Sequence, residues 1–144
     1  MKKSQNEMKL IFPSLSENER LARVAIGGFV SHKNPRMDEL NDLKTAVSEA
    51  VTNCIVHAYR DTVGLIEMTA RLTGDEVYIK IRDKGCGIED VKKAMEPLYT
   101  TLPDEERSGL GFSVMESFTD SVTVKSRPGS GTTVVMVKKL RTKI

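Results

Sequence analysis

The apolar pattern from Asp38 to about Tyr59 limits the possible folds of this chain more than any other feature of the sequence. Apolar residues recur there at intervals of three and four, which predicts a long amphipathic helix with one buried stripe. The residues of that stripe are Leu40, Leu43, Val47, Ala50, Val51 and Cys54. The fold class then depends on the elements before and after this helix.

The segment before the helix predicts a strand and a second helix. Apolar residues alternate with other residues from Met8 to Pro13, as in a strand. Ser16 and Glu19 have the spacing of a capping box at the start of a helix, and Asn34-Pro35 predicts its end. The apolar positions of this first helix are Leu21, Val24, Ala25 and Phe29.

The segment after the long helix predicts hairpins and one more helix. Strands are expected at 65–72 and 77–82, with a glycine turn at 83–87. The polar stretch up to Ser108 predicts a mobile lid with at most one short helix. A helix at 109–118 and a strand pair at 122–124 and 132–137 should follow. We therefore expect an α/β (α+β) two-layer sandwich, with a mostly antiparallel mixed sheet and helices on one face.

Composition narrows the classes of partner. Lys and Arg total 22 against 20 Asp and Glu, and a net charge of +2 predicts no strong attraction to nucleic acid or to a membrane. Two cysteines are too few for a disulfide framework, and no signal peptide or transmembrane span is apparent. We expect one cytoplasmic domain, residues 1–144, because no repeat or linker divides the chain.

Four short motifs carry polar chemistry. Glu49, Asn53 and His57 stand four residues apart, so they form a row along one flank of the long helix, although a solvated helix edge has the same spacing. Asp83 ends a strand before alternate glycines, which is typical of an acceptor for an exocyclic amine such as that of adenine, or of an ordinary turn.

The third motif, Glu106 to Phe112, places a basic side chain, a hydroxyl and two glycines at a helix N-terminus. This combination suits phosphate, although a simple helix start would look the same and the spacing is not that of a Walker A loop. The fourth, Gly129 to Thr133, taken alone predicts only a hairpin connection.

In their order, the segments EAVTNCIVHAY, DKGCG, RSGLG and GTT resemble the N box, the two glycine boxes and the closing Gly-Thr of the Bergerat (GHKL) ATPases. That superfamily includes histidine kinases, gyrase B and Hsp90. Within it, SENERLAR, MDEL, PLYTT and ERSGLGF are similar to the small anti-sigma serine kinases over nearly the full chain. The resemblance implies the Bergerat fold with an ATP lid.

The resemblance also implies roles for individual residues. Asn53 would hold the Mg²⁺ that bridges the phosphates of ATP or ADP, and Glu49 would be the base for a substrate hydroxyl. Asp83 would bind adenine, and Arg107 would contact the γ-phosphate. The remaining nucleotide-binding positions would be His57, Gly85, Gly87, Thr101, Ser108, Gly109, Gly111 and Thr132.

The implied partners are a sporulation sigma factor of RNA polymerase, of the sigma F type, and an anti-anti-sigma protein that is phosphorylated on serine. The resemblance also implies a homodimer, and it places Arg23 and its neighbour Arg20 at the partner interface. Two positions depart from the family pattern. Leu102 follows the paired threonines where lysine is common, and Cys86, which we interpret as a packing residue without redox function, stands between the glycines.

Three alternatives remain open at this stage. A nucleotide-gated binding module would not transfer phosphate, but the carboxylate of Glu49, one turn from the expected magnesium ligand, argues against it. A histidine kinase catalytic domain would need a phosphoacceptor helix pair, which the sequence lacks. The related general-stress anti-sigma kinase has the same chemistry with a different sigma factor.

Overall fold

The computed structural model of the chain describes residues 5–95 and 111–141. The strands are β1 Gln5–Pro13, β2 Leu65–Thr73, β3 Glu76–Asp83, β4 Ser121–Arg127 and β5 Gly131–Lys139. The helices are α1 Asn18–Val30, α2 Met37–Asn53, α3 Val91–Ala94 and α4 Gly111–Phe118. A 3-10 turn, Ser31–Lys33, follows α1, and a π-helical turn, Cys54–Ala58, continues α2.

The five strands form one sheet in the order β1-β2-β3-β5-β4. Each neighbouring pair is antiparallel, so the expected two-layer α/β class is confirmed, while the described strands contain no parallel pair that would make the sheet mixed. The last strand in sequence, β5, lies between β3 and β4. This arrangement places the end of β3 beside the start of β5, with Asp83 opposite Thr132.

One face of the sheet carries the core because apolar residues alternate along its strands. Leu10, Met68, Ile81 and Val134 occupy one row across four strands, and the last three are buried. On this face α2 packs between α1 and α4, so it is buried on both flanks. The central helix predicted from Asp38 onward is therefore confirmed.

The first helix buries only part of the stripe predicted for it, because Ala25 and Phe29 pack against the core and the other two predicted residues do not. Its buried residues include Ala22, Ile26 and Val30, whereas Leu21 and Val24 are 45% and 61% exposed. The two stripes are adjacent on the helix, and the small side chain of Ala22 lets α1 lie close to its neighbours. Two apolar side chains are therefore left on the surface of α1.

The predicted capping box at the start of α1 is also wrong. The N-cap position is Glu17, which makes no side-chain capping hydrogen bond. Ser16 contributes only its carbonyl oxygen, which accepts the Glu19 N–H at 3.3 Å. The predicted end of the helical segment is confirmed, because Asn34 adopts a left-handed conformation with φ of 53°.

The start of α2 is tied to the C-terminal end of the sheet by the buried side chain of Glu39. Its Oε1 accepts the Arg36 N–H at 3.4 Å, and its Oε2 accepts the Arg141 N–H at 2.9 Å. Within the described ranges, 5–95 and 111–141, no helix has the length and apolar character needed to cross a membrane.

Candidate functional site

A pocket opens between the C-terminal half of α2, the glycine turn after β3, the start of α4 and the first residues of β5. Most of its lining is apolar, with a few polar groups that converge on it, which is the usual make-up of a small-molecule site. The polar or charged lining residues are Asn53, His57, Arg60, Asp83 and Thr132. The apolar ones are Ala50, Cys54, Ala58, Cys86, Ile88, Ala94, Phe112 and Val134, and the glycines are Gly87 and Gly111.

The carboxylate of Asp83 lines the pocket and is buried, and we call this part of the pocket its closed end. Its Oδ1 accepts the backbone N–H groups of Gly85 at 2.9 Å and Thr132 at 3.2 Å. Its Oδ2 accepts the thiol of Cys54 at 3.4 Å. Burial raises the pKa of Asp83 above its usual value, and the three donors oppose that rise because they favour the charged form.

The π-helical turn after Asn53 brings the end of α2 to this carboxylate. In it, the Tyr59 N–H donates to the Cys54 carbonyl at 3.0 Å, one residue farther along the chain than in an α-helix. The Tyr59 hydroxyl donates to the Leu65 carbonyl and accepts the Lys84 N–H, both at 2.7 Å. Turns of this kind are frequent at functional sites. The end of α2 is thereby attached to β2 and to the glycine turn.

The glycines of this region allow close contact between parts of the chain itself. A methyl group on Gly85 would lie 2.3 Å from the Ala58 carbonyl oxygen, and one on Gly87 would lie 2.0 Å from that of Arg127. Gly131, with φ of +90°, would place its methyl 2.2 Å from the Asp83 carbonyl oxygen. The absent side chains of these glycines therefore allow the loops around Asp83 to pack against one another.

The other end of the pocket is formed by α2 and the first residue of α4. A methyl group on Gly111 would lie 3.1 Å from Asn53 Oδ1 and 3.4 Å from Glu49 Oε2. The side chains of Glu49 and Asn53 are half-buried, and both approach the N-terminus of α4. His57 lies on the same flank, one turn beyond Asn53, and lines the pocket. The predicted polar row therefore faces the pocket.

Ser126 supports the site, although sequence analysis did not identify it. Its hydroxyl accepts the Ile88 N–H at 2.7 Å, donates to the Gly131 carbonyl at 3.0 Å, and shares a 2.8 Å hydrogen bond with the Thr132 hydroxyl. These bonds join the glycine turn to β4 and β5. Cys54 and Tyr59 were likewise missed as site residues, because their partners lie far away in sequence.

The structure brings together most of the predicted positions that it describes. Glu49, Asn53, His57, Asp83, Gly85, Gly87, Gly111 and Thr132 all lie in or beside the pocket. The predicted lid and its residues Thr101, Leu102, Arg107, Ser108 and Gly109 lie outside the described residues. Arg20 and Arg23 are on α1, away from the pocket lining, where Arg23 forms an ion pair with Glu19 at 3.5 Å.

The interpretation of Cys86 as a packing residue is wrong. The side chain is exposed at the rim of the pocket, and its thiol points to the carbonyl oxygens of His57 at 3.2 Å and Gly87 at 3.4 Å. The backbone makes the structural contact at this position, because the Cys86 N–H donates to the Ala58 carbonyl at 3.0 Å. The rim position follows from the short turn between Gly85 and Gly87.

The residues present fit a nucleotide with its magnesium ion. Asp83 has acceptor capacity at the closed end, and the Asn53 amide lies at the other end beside a helix N-terminus. Mg²⁺ in nucleotide sites takes few protein ligands and keeps phosphate and water oxygens. The described residues include no group of three or more His, Cys, Asp or Glu side chains that could hold a metal by themselves.

Comparison with known proteins agrees with this geometry. Residues 12–138 match the histidine kinase-like ATPase domain family. The chain is 54% identical to the anti-sigma F factor of Clostridium beijerinckii over 137 residues, which are 94% of this chain and 96% of the relative. It is 50% identical to the anti-sigma F factor of Clostridium acetobutylicum, with 94% of each chain covered.

Solved structures share the fold at low sequence identity. The RsbU and RsbW domains of Rv1364c from Mycobacterium tuberculosis superpose with a TM-score of 0.69 at 20% identity, over 94% of this chain and 32% of that one. The catalytic domain of the histidine kinase ThkA gives 0.57 at 18% identity, over 92% and 95%. With the matches in sequence, these findings show that the chain belongs to the anti-sigma F factor family of histidine kinase-like ATPase domains.

Proposed function

We propose that this chain binds and inhibits a sporulation sigma factor of the sigma F type, and that it phosphorylates the opposing anti-anti-sigma protein on a serine with ATP. The relatives named anti-sigma F factor, about half identical to this chain over nearly its whole length, support the sigma factor as a partner. They also favour the sporulation type over the general-stress type. A cytoplasmic homodimer is part of the proposal.

The observation that carries the kinase activity is the meeting of Glu49, Asn53 and Gly111 at one end of the pocket. A carboxylate, an amide and a helix N-terminus lie there within a few ångströms of one another. A binding module that only holds nucleotide needs the amide and the helix N-terminus. The carboxylate is the additional group that a phosphotransferase needs to accept a proton.

In the proposed complex, the adenine amine donates to Asp83 and the phosphates extend toward Asn53 and the first turn of α4. The positive end of a helix dipole favours negative charge. Asn53 would hold Mg²⁺, which offsets phosphate charge when bound. The hydrogen bonds of Thr132 and Ser126 fix the backbone around Asp83, where the base would bind.

Phosphoryl transfer then requires a serine hydroxyl beside Glu49. The serine oxygen forms a bond to the γ-phosphorus, the bond from that phosphorus to the β–γ bridging oxygen breaks, and ADP leaves with the electron pair. Glu49 takes the hydroxyl proton. General-base assistance of this kind contributes about 10²- to 10⁴-fold in rate.

The surface of α1 is the proposed partner interface. Arg20 is exposed and Arg23 is half-buried, and both belong to the helix that leaves Leu21 and Val24 on the surface. Cationic groups beside exposed apolar side chains are typical of protein interfaces, which enrich arginine around a desolvated centre.

Incubation of the protein with labelled ATP, Mg²⁺ and candidate anti-anti-sigma proteins tests the proposed activity. We expect label on a serine of one of them and ATP-dependent binding of the sigma factor. ATP-dependent sigma binding without transfer to any serine-bearing partner would support the gated binding module instead. Binding of only the general-stress sigma factor would assign the chain to that pathway.

The interface is tested by Arg23→Glu. We expect sigma binding about tenfold weaker or more, because the reversed charge would meet the surface that accepts the arginine. The ion pair of Arg23 with Glu19 is a half-buried pair one helical turn apart, and such helix pairs contribute about 0.3–0.5 kcal/mol, so stability should barely change. Arg36→Glu, in the exposed pair with Asp38, is the matched control and should leave sigma binding unchanged.

A further inference from the structure

We propose that Cys54 is a positioning residue for adenine specificity, whose thiol holds the Asp83 carboxylate in the orientation that accepts the exocyclic amine of the base. The inference rests on the proposed binding of ATP in this pocket. It concerns a side chain for which the phosphotransfer mechanism gives no role. Cys54 is 4% exposed, and its Sγ lies 3.4 Å from Asp83 Oδ2.

The acceptor capacity of Asp83 supports this role. A carboxylate has about four lone-pair directions on its two oxygens. Gly85 and Thr132 donate to Oδ1, and Cys54 donates to Oδ2. One direction, on Oδ2, therefore remains for a ligand. The thiol fixes which way that direction points, because it occupies the other lone pair of the same oxygen.

The backbone around Cys54 leaves the thiol little freedom. The Cys54 N–H donates to the carbonyl oxygens of Ala50 and Val51, and its own carbonyl accepts the Tyr59 N–H across the π-helical turn. The side chain is then enclosed between α2 and β3, where a free thiol is a weak but real donor. Burial and the nearby Asp83 charge both raise the pKa of Cys54, so the sulfur keeps its proton.

The thiol has a further effect on the charge of Asp83. Burial favours the protonated carboxyl, and a hydrogen bond from the thiol favours the carboxylate. A carboxylate is the stronger acceptor for an amine, because hydrogen bonds to charged groups are about twice as strong as neutral ones. Loss of the thiol should weaken the contact with the amine and leave contacts with the rest of the nucleotide unchanged.

The test compares ATP with purine riboside triphosphate, which lacks the exocyclic amine, by calorimetry on the full chain. Cys54→Ala should weaken ATP binding about 2- to 10-fold, the usual value of one hydrogen bond. It should leave the affinity for purine riboside triphosphate unchanged. Cys54→Ser, which restores a donor, should recover the preference for ATP. Cys86→Ala removes the other thiol at the pocket, and we expect the wild-type ratio of the two affinities.

A spectroscopic measurement gives an independent result. Cys86→Ser leaves Cys54 as the one thiol of the chain, since the sequence has 2 cysteines. Its S–H stretching band should lie at the low frequency of a thiol bonded to a carboxylate, and should move upward when Asp83→Ala is added. A band at the position of an unbonded thiol in the first protein would contradict the hydrogen bond.

Two outcomes of the binding test would overturn the inference. If Cys54→Ala lowered the affinities for both nucleotides equally, the effect would come from the cavity left by the side chain. An unchanged affinity for ATP would show that the thiol does not position Asp83 for the base. Both leave the proposed function intact, because the wild-type protein still binds ATP. If the wild-type protein binds neither nucleotide, the proposed function and this inference fail together.

Discussion

The two ends of the pocket differ in how far their polar side chains are buried and hydrogen-bonded by the chain itself. At the closed end, Asp83 is buried and accepts three hydrogen bonds from its own chain. At the other end, Glu49 and Asn53 are half-buried on the flank of a helix and meet Gly111. The Asp83 end, where we propose that the base binds (the base end), is thus organised by the chain itself. The Glu49 end, where we propose that the phosphates bind (the phosphate end), would complete its contacts with the nucleotide and the protein substrate. Recognition and catalysis should therefore respond differently to mutation.

The largest expected effect is on catalysis alone. Glu49→Gln keeps the size of the side chain and removes the base, so single-turnover phosphorylation should be about 10²- to 10⁴-fold slower. ATP affinity and ATP-dependent sigma binding should stay near wild type. Transfer at the wild-type rate would show that Glu49 is not the base. Asn53→Ala is the contrasting variant, and it should lose magnesium-dependent nucleotide affinity.

Asp83→Asn should affect recognition and leave the chemistry at saturating ATP largely unchanged. Loss of a charged acceptor should weaken ATP binding about 10- to 100-fold, since hydrogen bonds to charged groups contribute about 1.5–3 kcal/mol. Calorimetric titration with ATP and Mg²⁺ measures this. An affinity equal to wild type would remove Asp83 from the adenine contact.

Asp83→Asn should also change the stability of the nucleotide-free protein in a way that depends on pH. Because burial raises the folded-state pKa of Asp83 above the unfolded value, ionised Asp83 lowers the stability of the nucleotide-free protein at neutral pH. Asp83→Asn should then melt at the same temperature as wild type or higher at pH 7. The difference should narrow as pH falls through the folded pKa and vanish below the unfolded pKa. A lower melting temperature at pH 7 would contradict this.

Gly111→Ala should separate stability from activity at the phosphate end. The added methyl would stand 3.1 Å from Asn53 Oδ1, so that side chain must move by a few tenths of an ångström. We expect phosphorylation roughly 10-fold slower, less than the 10²-fold that a 1 Å misplacement can cost. The melting temperature should not fall, because alanine favours a helix over glycine. A lower melting temperature with an unchanged phosphorylation rate would contradict the placement of Gly111 at the phosphate end.

The smallest expected effect is that of removing the Tyr59 hydroxyl, which joins the end of α2 to β2 and to the glycine turn beside Asp83. Tyr59→Phe removes the hydroxyl between Leu65 and Lys84, which should lower the free energy of unfolding by about 1 kcal/mol. ATP affinity should fall slightly, and the transfer rate at saturating ATP should not. Tyr78→Phe is the matched control, because the Tyr78 ring contacts Arg71 on the sheet away from the pocket.

The parts of the candidate site that depend on residue type at fixed spacing could be predicted from the sequence. The row Glu49, Asn53 and His57 could be predicted because a helix repeats every 3.6 residues. The importance of Asp83 follows from the family resemblance, because an acid before alternate glycines also fits an ordinary turn. Helical periodicity could not decide which stripe of α1 is buried. Leu21 and Val24 have the same spacing as buried residues, and only packing on α2 selects Ala22 and Ile26.

The supporting contacts could not be predicted for a different reason. Cys54 and Asp83 are 29 residues apart, and their contact depends on the π-helical turn that ends α2. Ser126 reaches Ile88 across 38 residues. No local pattern carries such information, because these contacts exist only after the sheet and α2 have packed together.

The central position of β5 in the sheet affects how the chain can fold during its synthesis on the ribosome. Strands β1, β2 and β3 can pair as they are made, but β4 has no neighbour in the sheet until β5 enters between it and β3. Thr132 and Val134, which line the pocket, belong to that last strand. Pairings over long sequence separations form late, since the chain must first close a large loop. A nascent chain that stops before β5 therefore has no complete nucleotide pocket, and translation must pass residue 139 before ATP can stabilise the fold.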